Sequence, residues 1–188
     1  MPYHCEGGVE LKYHRIAEQG ILMGEVGDPV AITQHLLEVA SDEANRSESN
    51  PIDIRYQDFR LPNPFHPSVQ EVFDYITDQV QDFFDGAQLE CCPLWTIVNK
   101  PGDQIYPHWH VIGDNEYSVV YWAQTPPGSG ELEFYPWGFA PNKPTKPIQP
   151  VAGRFIVFKG DTLHGVRHNT SKEDRVSMSF NITVGGGA

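Results

Sequence analysis

The sequence is poor in cysteine, in basic residues and in long apolar runs. Its three cysteines, Cys5, Cys91 and Cys92, have neither the even count nor the spacing of a disulfide framework, so we expect them to be reduced. Lys and Arg number 13 against 25 Asp and Glu, and the net charge of −12 argues against a nucleic-acid partner. No stretch is long enough to span a bilayer, and the opening MPYHCEGGVE does not resemble a signal peptide. The expectation is a cytoplasmic protein without a membrane partner.

The chain has 188 residues, 17 of them glycine and 16 proline, which suits a loop-rich globular protein with a sizeable core. We expect a single domain over residues 1–188. Within it, residues 1–90 are predicted to form an N-terminal elaboration of helices and strands. Residues 91–185 are predicted to form a β-sheet core, because the apolar pattern changes to period two there.

Two helices are predicted in the N-terminal half. The first covers residues 27–45, where Asp28 can cap the helix. The second begins at Ser68, which forms a capping-box pattern with Glu71, and stops at Gly86. Both carry apolar stripes at helical spacing and are expected to serve as scaffold.

Short strands are predicted around these helices and throughout the C-terminal half. Two lie in residues 9–26 around a Gln19–Gly20 turn, and another lies in residues 52–59. Six more candidates follow: CCPLWTIVN, QIYPHWHVI, YSVVYWAQ, ELEFYPW, RFIVFKG and RVSMSFNITV. Many short strands separated by turns indicate an antiparallel sandwich or barrel, so the fold class is α+β, mainly β, with the helices packed on one sheet.

The segment IYPHWHVIGD, residues 105–114, carries the strongest chemical signal. On a strand His108 and His110 project from the same face, so both can bind one ion. His164, after the strand RFIVF, is the best candidate for a third ligand, and Asp114 is an outside candidate. The alternative to a metal site is a pair of ordinary strand histidines, which a lone HxH pattern does not exclude.

Three imidazoles suit zinc, iron, copper or nickel, and three protein ligands leave positions open for substrate. No set of thiolates is present that could close a structural zinc site. The remaining histidines are expected to be ordinary polar residues: His4, His14, His35, His66 and His168.

Residues 94–184 resemble the Fe(II)/2-oxoglutarate-dependent oxygenases, near the prolyl-hydroxylase-like branch. The resemblance rests on VNKPGDQIYPHWH, on SVVYWAQTPPGSGELEFYP and on GRFIVFKGDTLHGVRHNTSKEDRVSMSFN. It implies a double-stranded β-helix, which is a jelly-roll or cupin-like barrel. It also implies Fe(II) held by His108, His110 and His164, with 2-oxoglutarate and O2 as cosubstrates of a hydroxylation.

The sequence departs from the family at one ligand, because His110 stands where members have a carboxylate. A neutral imidazole there leaves the site more positive by one charge, which should favour an anionic cosubstrate. The resemblance assigns the far carboxylate of 2-oxoglutarate to Arg175, eleven residues beyond His164. A guanidinium can pair with a carboxylate through two parallel hydrogen bonds.

Four further residues are expected near the cosubstrate. The hydroxyls of Ser177 and Tyr121 can bond the carboxylate that Arg175 holds. Asn99 and Tyr106 can reach other cosubstrate oxygens or a metal-bound water. For each tyrosine, a barrel-lining aromatic is an equally good interpretation.

Two alternatives stay open. One is a cupin-like three-histidine metalloenzyme that does not use 2-oxoglutarate, and the other is a non-catalytic ligand-binding barrel. The oxidised substrate is expected to be a small molecule or a peptide, and the loop over residues 137–150 can contact it through Trp137, Phe139 and Lys143. A homodimer is a further expectation, because barrels of this kind expose strand edges.

Overall fold

A computed structural model describes residues 12–16, 19–46, 57–110, 115–135 and 147–185. Eleven strands, two α-helices and one 3₁₀ helix occur in this part of the chain. The helices are α1 (Pro29–Ala40), a 3₁₀ turn (Glu43–Asn45) and α2 (Pro67–Phe83). The strands are β1 (Lys12–Ile16), β2 (Gln19–Glu25), β3 (Gln57–Arg60), β4 (Leu89–Cys91), β5 (Trp95–Asn99), β6 (Ile105–His108), β7 (Glu116–Gln124), β8 (Leu132–Phe134), β9 (Arg154–Lys159), β10 (His164–Val166) and β11 (Arg175–Val184).

The strands form two antiparallel sheets. The major sheet has the order β1-β2-β9-β7-β11-β5-β3, with β4 paired to β11, and the minor sheet has the order β6-β10-β8. Side chains from both sheets meet in one apolar cluster, so the sheets face each other: Ile105, Trp122, Leu132, Phe134, Ile156, Phe158 and Val166. The predicted double-stranded β-helix is confirmed.

The two helices cover the other face of the major sheet. Their buried residues, among them Ile32, Leu36, Val72 and Ile76, join a cluster with apolar residues of β2, β7, β9 and β11. The expectation that the helices pack on one sheet is therefore confirmed. The major sheet is a two-sided wall, with helices behind it and the minor sheet in front.

The first helix begins as the sequence predicts but ends earlier. The side chain of Asp28 accepts a hydrogen bond from the Val30 N–H at 2.9 Å, as an N-cap residue does. The helix stops at Ala40 instead of reaching Asn45, because the backbone N–H of Ser41 closes the last turn and a separate 3₁₀ turn follows.

The second helix corrects a prediction. It begins at Pro67, one residue before Ser68, and His66 is the N-cap residue. Proline suits the first helical position because its φ is fixed and the missing N–H is not needed there. Ser68 lies inside the helix, with its Oγ 2.8 Å from His66 Nδ1, so the predicted capping box with Glu71 is wrong. Gly86 marks the stop as expected, with a φ of +79°.

The N-terminal strands are present, but their turn is placed differently. β1 and β2 pair directly, with Ile16 opposite Gln19 and Arg15 opposite Gly20. Gln19 and Gly20 therefore belong to β2, and the predicted Gln-Gly turn is wrong. Of the strand predicted in residues 52–59, the structure shows its end as β3, while residues 52–56 lie outside the described residues.

Two differences affect the C-terminal half. The segment CCPLWTIVN forms β4 and β5 and not one strand, because Pro93 lies between them and cannot donate to a sheet ladder. The strand β10 was not predicted. It has three residues, and pairing with β6 and β8 on both sides stabilises it. Gly165 is required there, since a Cβ would lie 2.9 Å from the backbone oxygen of Ile105.

Candidate active site

Three histidines converge at the edge of the minor sheet. His108 ends β6 and is directly opposite His164, the first residue of β10. His110 follows two residues later, and its backbone N–H donates to the Gly160 oxygen at 3.0 Å. The potential ligand atoms of the three imidazoles all lie within 4.8 Å of one another. The structure therefore brings together the three residues that the sequence singled out as metal ligands.

Backbone carbonyls fix the orientation of two of these rings. Nδ1 of His108 lies 2.9 Å from the Tyr106 oxygen, and Nδ1 of His164 lies 2.7 Å from the Thr162 oxygen. A carbonyl can only accept, so each Nδ1 carries the proton and each Nε2 keeps its lone pair. Carbonyl partners of this kind are typical of metal-binding histidines.

Burial keeps two of the imidazoles neutral. It lowers the pKa of His110 to about 4, with a smaller contribution from the nearby His108. Burial also lowers the pKa of His164 well below 6.5, although its hydrogen bond to Thr162 acts in the opposite direction. Because a metal binds the neutral imidazole, protons compete little with a metal for these two side chains at neutral pH.

A cavity of about 420 Å³ extends from the histidines between the two sheets. Alternate residues of β11 face it and form a polar row: Arg175, Ser177, Ser179 and Asn181. Apolar side chains from both sheets, such as Ile105, Trp122, Phe158 and Val166, form the remaining wall. The cavity thus has a polar row along β11 beside a largely apolar wall.

Arg175 lies at the inner end of this row. It is 2% exposed, and its Nε and Nη1 atoms have no hydrogen-bond partner among the described residues. Burial lowers the pKa of Arg175 to about 10, so the guanidinium still carries its charge at neutral pH. A buried cation without a counter-ion is costly, and an anion entering the cavity would relieve that cost.

Two polar side chains accompany Arg175. Asn99 ends β5 directly opposite Arg175, and both of its amide atoms are buried without a partner in the described part of the chain. The Oγ of Ser177 is likewise buried without a hydrogen-bond partner in the described part of the chain. Asn169 holds this region by donating from Nδ2 to the Asn99 backbone oxygen at 2.9 Å. The structure thus places Asn99 opposite Arg175 and Ser177 in the same polar row, while their contacts with a cosubstrate remain a prediction.

Two predicted residues are not brought to the cavity. Tyr121 belongs to the cluster beneath the helices, and its hydroxyl donates to the Val26 oxygen at 3.1 Å. Strand alternation explains this, since its neighbours Val120 and Trp122 on β7 line the cavity. The expectation that Tyr121 bonds the cosubstrate is corrected. The side chain of Tyr106 is 45% exposed and does not line the cavity, so only its backbone oxygen contributes, through His108.

Other cavity residues were missed in the sequence. Ser179 could have been found, because it continues the i, i+2 alternation from Arg175, and its buried Oγ also has no partner among the described residues. Asp58 and Arg60 on β3 could not have been found, because they lie far from the motifs in sequence and reach the cavity only through the pairing of β3 with β5.

The remaining candidates are either outside the described residues or away from the cavity. Asp114, Trp137, Phe139 and Lys143 lie outside the described residues. Trp109 is 50% exposed and does not line the cavity. Among the histidines expected to be ordinary, the rings of His35 and His66 stack at 4.4 Å between α1 and the start of α2, away from the cavity.

Comparison with family models gives one match for this region. Residues 93–181 match the model described as putative 2OG-Fe(II) oxygenase. No curated protein has significant sequence similarity to the chain. Within the described residues, no helix combines the length and apolar character that crossing a bilayer requires.

Several solved structures share the fold. HygX from Streptomyces hygroscopicus, crystallised with nickel and 2-oxoglutarate, is 12% identical, with a TM-score of 0.64 over 88% of this chain and 83% of that chain. A prolyl-4-hydroxylase from Pseudomonas putida is 17% identical, with a TM-score of 0.65 over 90% and 95% of the two chains. The carbocyclase SnoK of nogalamycin biosynthesis, described as non-heme and alpha-ketoglutarate-dependent, is 15% identical, with a TM-score of 0.69 over 89% and 80%. At these identities the similarity concerns the fold.

Proposed function

We propose that the cavity binds Fe(II) and 2-oxoglutarate and hydroxylates a second substrate, because residues 93–181 match the model of the putative 2OG-Fe(II) oxygenases. His108, His110 and His164 are the proposed metal ligands. Arg175, with Ser177 and Asn99, is the proposed partner of the far carboxylate of 2-oxoglutarate.

The observation that carries this proposal is the buried guanidinium of Arg175. A cation with two nitrogen atoms that have no partner among the described residues lies in the same cavity as the three imidazoles. A dicarboxylate with a keto group can bind the metal at one end and the guanidinium at the other. The cavity therefore has the two binding groups that this cosubstrate needs, the histidines beside the minor sheet and Arg175 on β11.

Each polar residue at the inner end has a task that its geometry supports. The fork of Arg175 donates two hydrogen bonds to one carboxylate, which fixes the orientation of the cosubstrate. The Ser177 hydroxyl and the Asn99 amide donate further bonds, and their own buried polar atoms are satisfied in turn. The carbonyl oxygens of Tyr106 and Thr162 hold two ligand rings in place before any metal arrives.

When bound, Fe(II) with 2-oxoglutarate supplies the oxidising chemistry, in which O2 is consumed, 2-oxoglutarate becomes succinate and CO2, and one oxygen atom enters the substrate. The protein contributes binding, orientation and exclusion of water. The apolar wall of Ile105, Trp122, Phe158 and Val166 keeps the cavity dry, so the charged contacts inside it are stronger than they would be in water.

A second candidate function is favoured by His110. Three imidazoles without a carboxylate are also a suitable set for a cupin-like metalloenzyme that does not use 2-oxoglutarate. Arg175 discriminates between the two, because its loss abolishes 2-oxoglutarate turnover under the first proposal and has little effect under the second. A non-catalytic barrel would bind neither Fe(II) nor 2-oxoglutarate.

The test is anaerobic titration of the protein with Fe(II) and then 2-oxoglutarate, followed by the visible charge-transfer band and by calorimetry. We expect wild type to bind both, His164→Ala to lose metal affinity, and Arg175→Gln to keep the metal and lose at least ~10-fold in 2-oxoglutarate affinity. Arg154→Gln is the matched control, since this arginine pairs with Glu25 away from the cavity. Unchanged 2-oxoglutarate affinity in Arg175→Gln would refute the proposal. Succinate release in air then measures turnover.

The substrate is proposed to be a small molecule or a peptide. A cytoplasmic location remains a prediction that suits the free Cys91 and Cys92. The absence of a nucleic-acid partner and the homodimer also remain predictions, and sedimentation velocity would measure the oligomeric state.

A further inference from the structure

Two further charged residues, both on the strand β3, line the cavity. Asp58 and Arg60 are both lining residues, and they are paired directly with Ile97 and Trp95 of β5. Residues directly opposite in neighbouring strands share a face of the sheet, so Asp58 and Arg60 project on the cavity side. They are two residues apart, which places their Cα atoms roughly 7 Å apart along the strand.

These two charges are not satisfied by each other. Among the described residues, neither Asp58 nor Arg60 takes part in an ion pair, and no hydrogen bond joins the two side chains. Burial raises the pKa of Asp58, while a hydrogen bond from its own backbone N–H and the charges of Arg46 and Arg60 each lower it by less. A half-buried carboxylate and an exposed guanidinium therefore lie two residues apart on one face of β3, each available to a ligand of opposite charge.

This pair is distinct from the proposed cosubstrate subsite. Arg175 is opposite Asn99, whereas Arg60 is opposite Trp95, four residues earlier on β5. That separation is roughly 13 Å along the strand, and β3 lies two strands away from β11, roughly 10 Å. One 2-oxoglutarate anchored at Arg175 does not occupy both places, so Arg60 is free to bind a different anion.

We propose that Asp58 and Arg60 bind the substrate that is oxidised, and that this substrate is a free amino acid whose ammonium meets Asp58 and whose carboxylate meets Arg60. The inference rests on the proposed function and names the substrate class for the same cavity. A zwitterion suits two opposite charges carried by residues whose Cα atoms lie roughly 7 Å apart, because each of its two groups can bind one of the side chains.

Size and surroundings support a small ligand. The cavity of about 420 Å³ is near the lower end of the range of ligand sites and must also hold 2-oxoglutarate. Trp95 and Cys92 line the same part of the cavity and offer contact to an apolar side chain.

The experiment measures thermal stabilisation of the protein loaded anaerobically with Fe(II) and 2-oxoglutarate. The probes are the twenty free L-amino acids. The amino acid with the largest effect is then compared with its α-amide and with the corresponding acid that lacks the amino group. For wild type we expect each derivative to bind about 10- to 100-fold more weakly, since each loses one charge-assisted contact.

The variants assign each contact. Arg60→Gln should no longer distinguish the free amino acid from its amide, and Asp58→Asn should no longer distinguish it from the deaminated acid. Arg60→Lys, which keeps the charge, should retain part of the preference for the carboxylate. The matched controls Arg154→Gln and Asp74→Asn lie outside the cavity and should discriminate as wild type does.

Two outcomes would overturn the inference. One is a wild-type protein that no amino acid stabilises, and the other is discrimination that survives in both Arg60→Gln and Asp58→Asn. The charge-transfer band recorded on the same samples separates this failure from failure of the proposed function. If the band forms and no amino acid binds, only the substrate class is wrong. If the band is missing in wild type, the proposed function itself is wrong.

Discussion

The two faces of the strand β11 carry opposite kinds of side chain. Toward the helices it presents only apolar side chains, all buried: Val176, Met178, Phe180, Ile182 and Val184. Toward the cavity it presents the polar row of Arg175, Ser177, Ser179 and Asn181. The Phe180 ring packs on Phe73 of α2 with centroids 5.2 Å apart, whereas Arg175 and the two serines have buried atoms without partners among the described residues.

This contrast separates stability from function along a single strand. Apolar burial on the helix side provides free energy of folding, at ~25 cal/mol for each Å² removed from water. Unpaired polar atoms on the cavity side cost free energy in the absence of a ligand, and that cost is recovered when the ligand binds. Substitutions on the two faces should therefore differ in kind as well as in size.

The largest effect is expected on the helix side. Phe180→Ala removes a fully buried aromatic ring and leaves a cavity, which should lower the free energy of unfolding by about 3–5 kcal/mol. Urea denaturation monitored by circular dichroism measures this loss. Ser179→Ala, the adjacent residue on the other face, should change stability by less than ~1 kcal/mol. Equal losses for the two variants would remove the contrast between the faces.

Lowering the pH should reduce the stability of the folded protein through His110, which lies on the cavity side. In the folded protein burial lowers the pKa of His110 to about 4, whereas the unfolded chain has a value near 6.5. Below pH 6.5 the unfolded chain therefore binds more protons, and the metal-free protein should lose on the order of 3 kcal/mol of stability as the pH falls to 4. Unfolding free energies measured at pH 7 and pH 4.5 test this, with His110→Asn expected to show the shallower decline. Parallel declines would contradict it.

A smaller effect of opposite sign is expected at Arg175. Arg175→Met replaces a buried unpaired cation by an apolar side chain, which should stabilise the ligand-free protein by about 1–3 kcal/mol. The same change should abolish the stabilisation that 2-oxoglutarate gives to wild type, about 2.7 kcal/mol at a hundred times its dissociation constant. Thermal melts with and without 2-oxoglutarate measure both quantities. A destabilised variant that still responds to 2-oxoglutarate would show that Arg175 has a structural role.

The sequence groups His108 with His110 as candidate metal ligands for a local reason, whereas the proposed role of Arg175 comes from the family resemblance. His108 and His110 are two residues apart on an extended segment, and period-two geometry alone puts them on one side. The same periodicity gives the row that starts at Arg175. The strand β10 escaped prediction because three residues are too few to show any period, and its order comes from pairing with β6 and β8.

The cavity position of Asp58 and Arg60 on β3 could not be predicted for a different reason. Asp58 and Arg60 reach the cavity only because β3 pairs with β5. The two strands are far apart in the sequence, and neither segment contains a pattern that predicts their pairing. The start of α2 was misplaced by one residue because His66, which is an uncommon N-cap residue, caps it. Sequence patterns thus predict which residues share a face, whereas the choice of face and of neighbouring strand depends on the whole fold.

Tyr121 is the sharpest test of that limit and carries the smallest expected effect. It belongs to the helix side of β7, where its hydroxyl donates to the Val26 oxygen at 3.1 Å. Tyr121→Phe should therefore cost about 0.5–1.5 kcal/mol of stability and leave the affinity for 2-oxoglutarate unchanged. Ser177→Ala, a hydroxyl on the cavity side, should do the reverse and weaken 2-oxoglutarate binding while leaving stability nearly constant. Calorimetric titration of both variants beside urea denaturation distinguishes the two hydroxyls. A loss of 2-oxoglutarate affinity in Tyr121→Phe would restore the role that the sequence suggested and would mean that β7 turns its other face to the cavity.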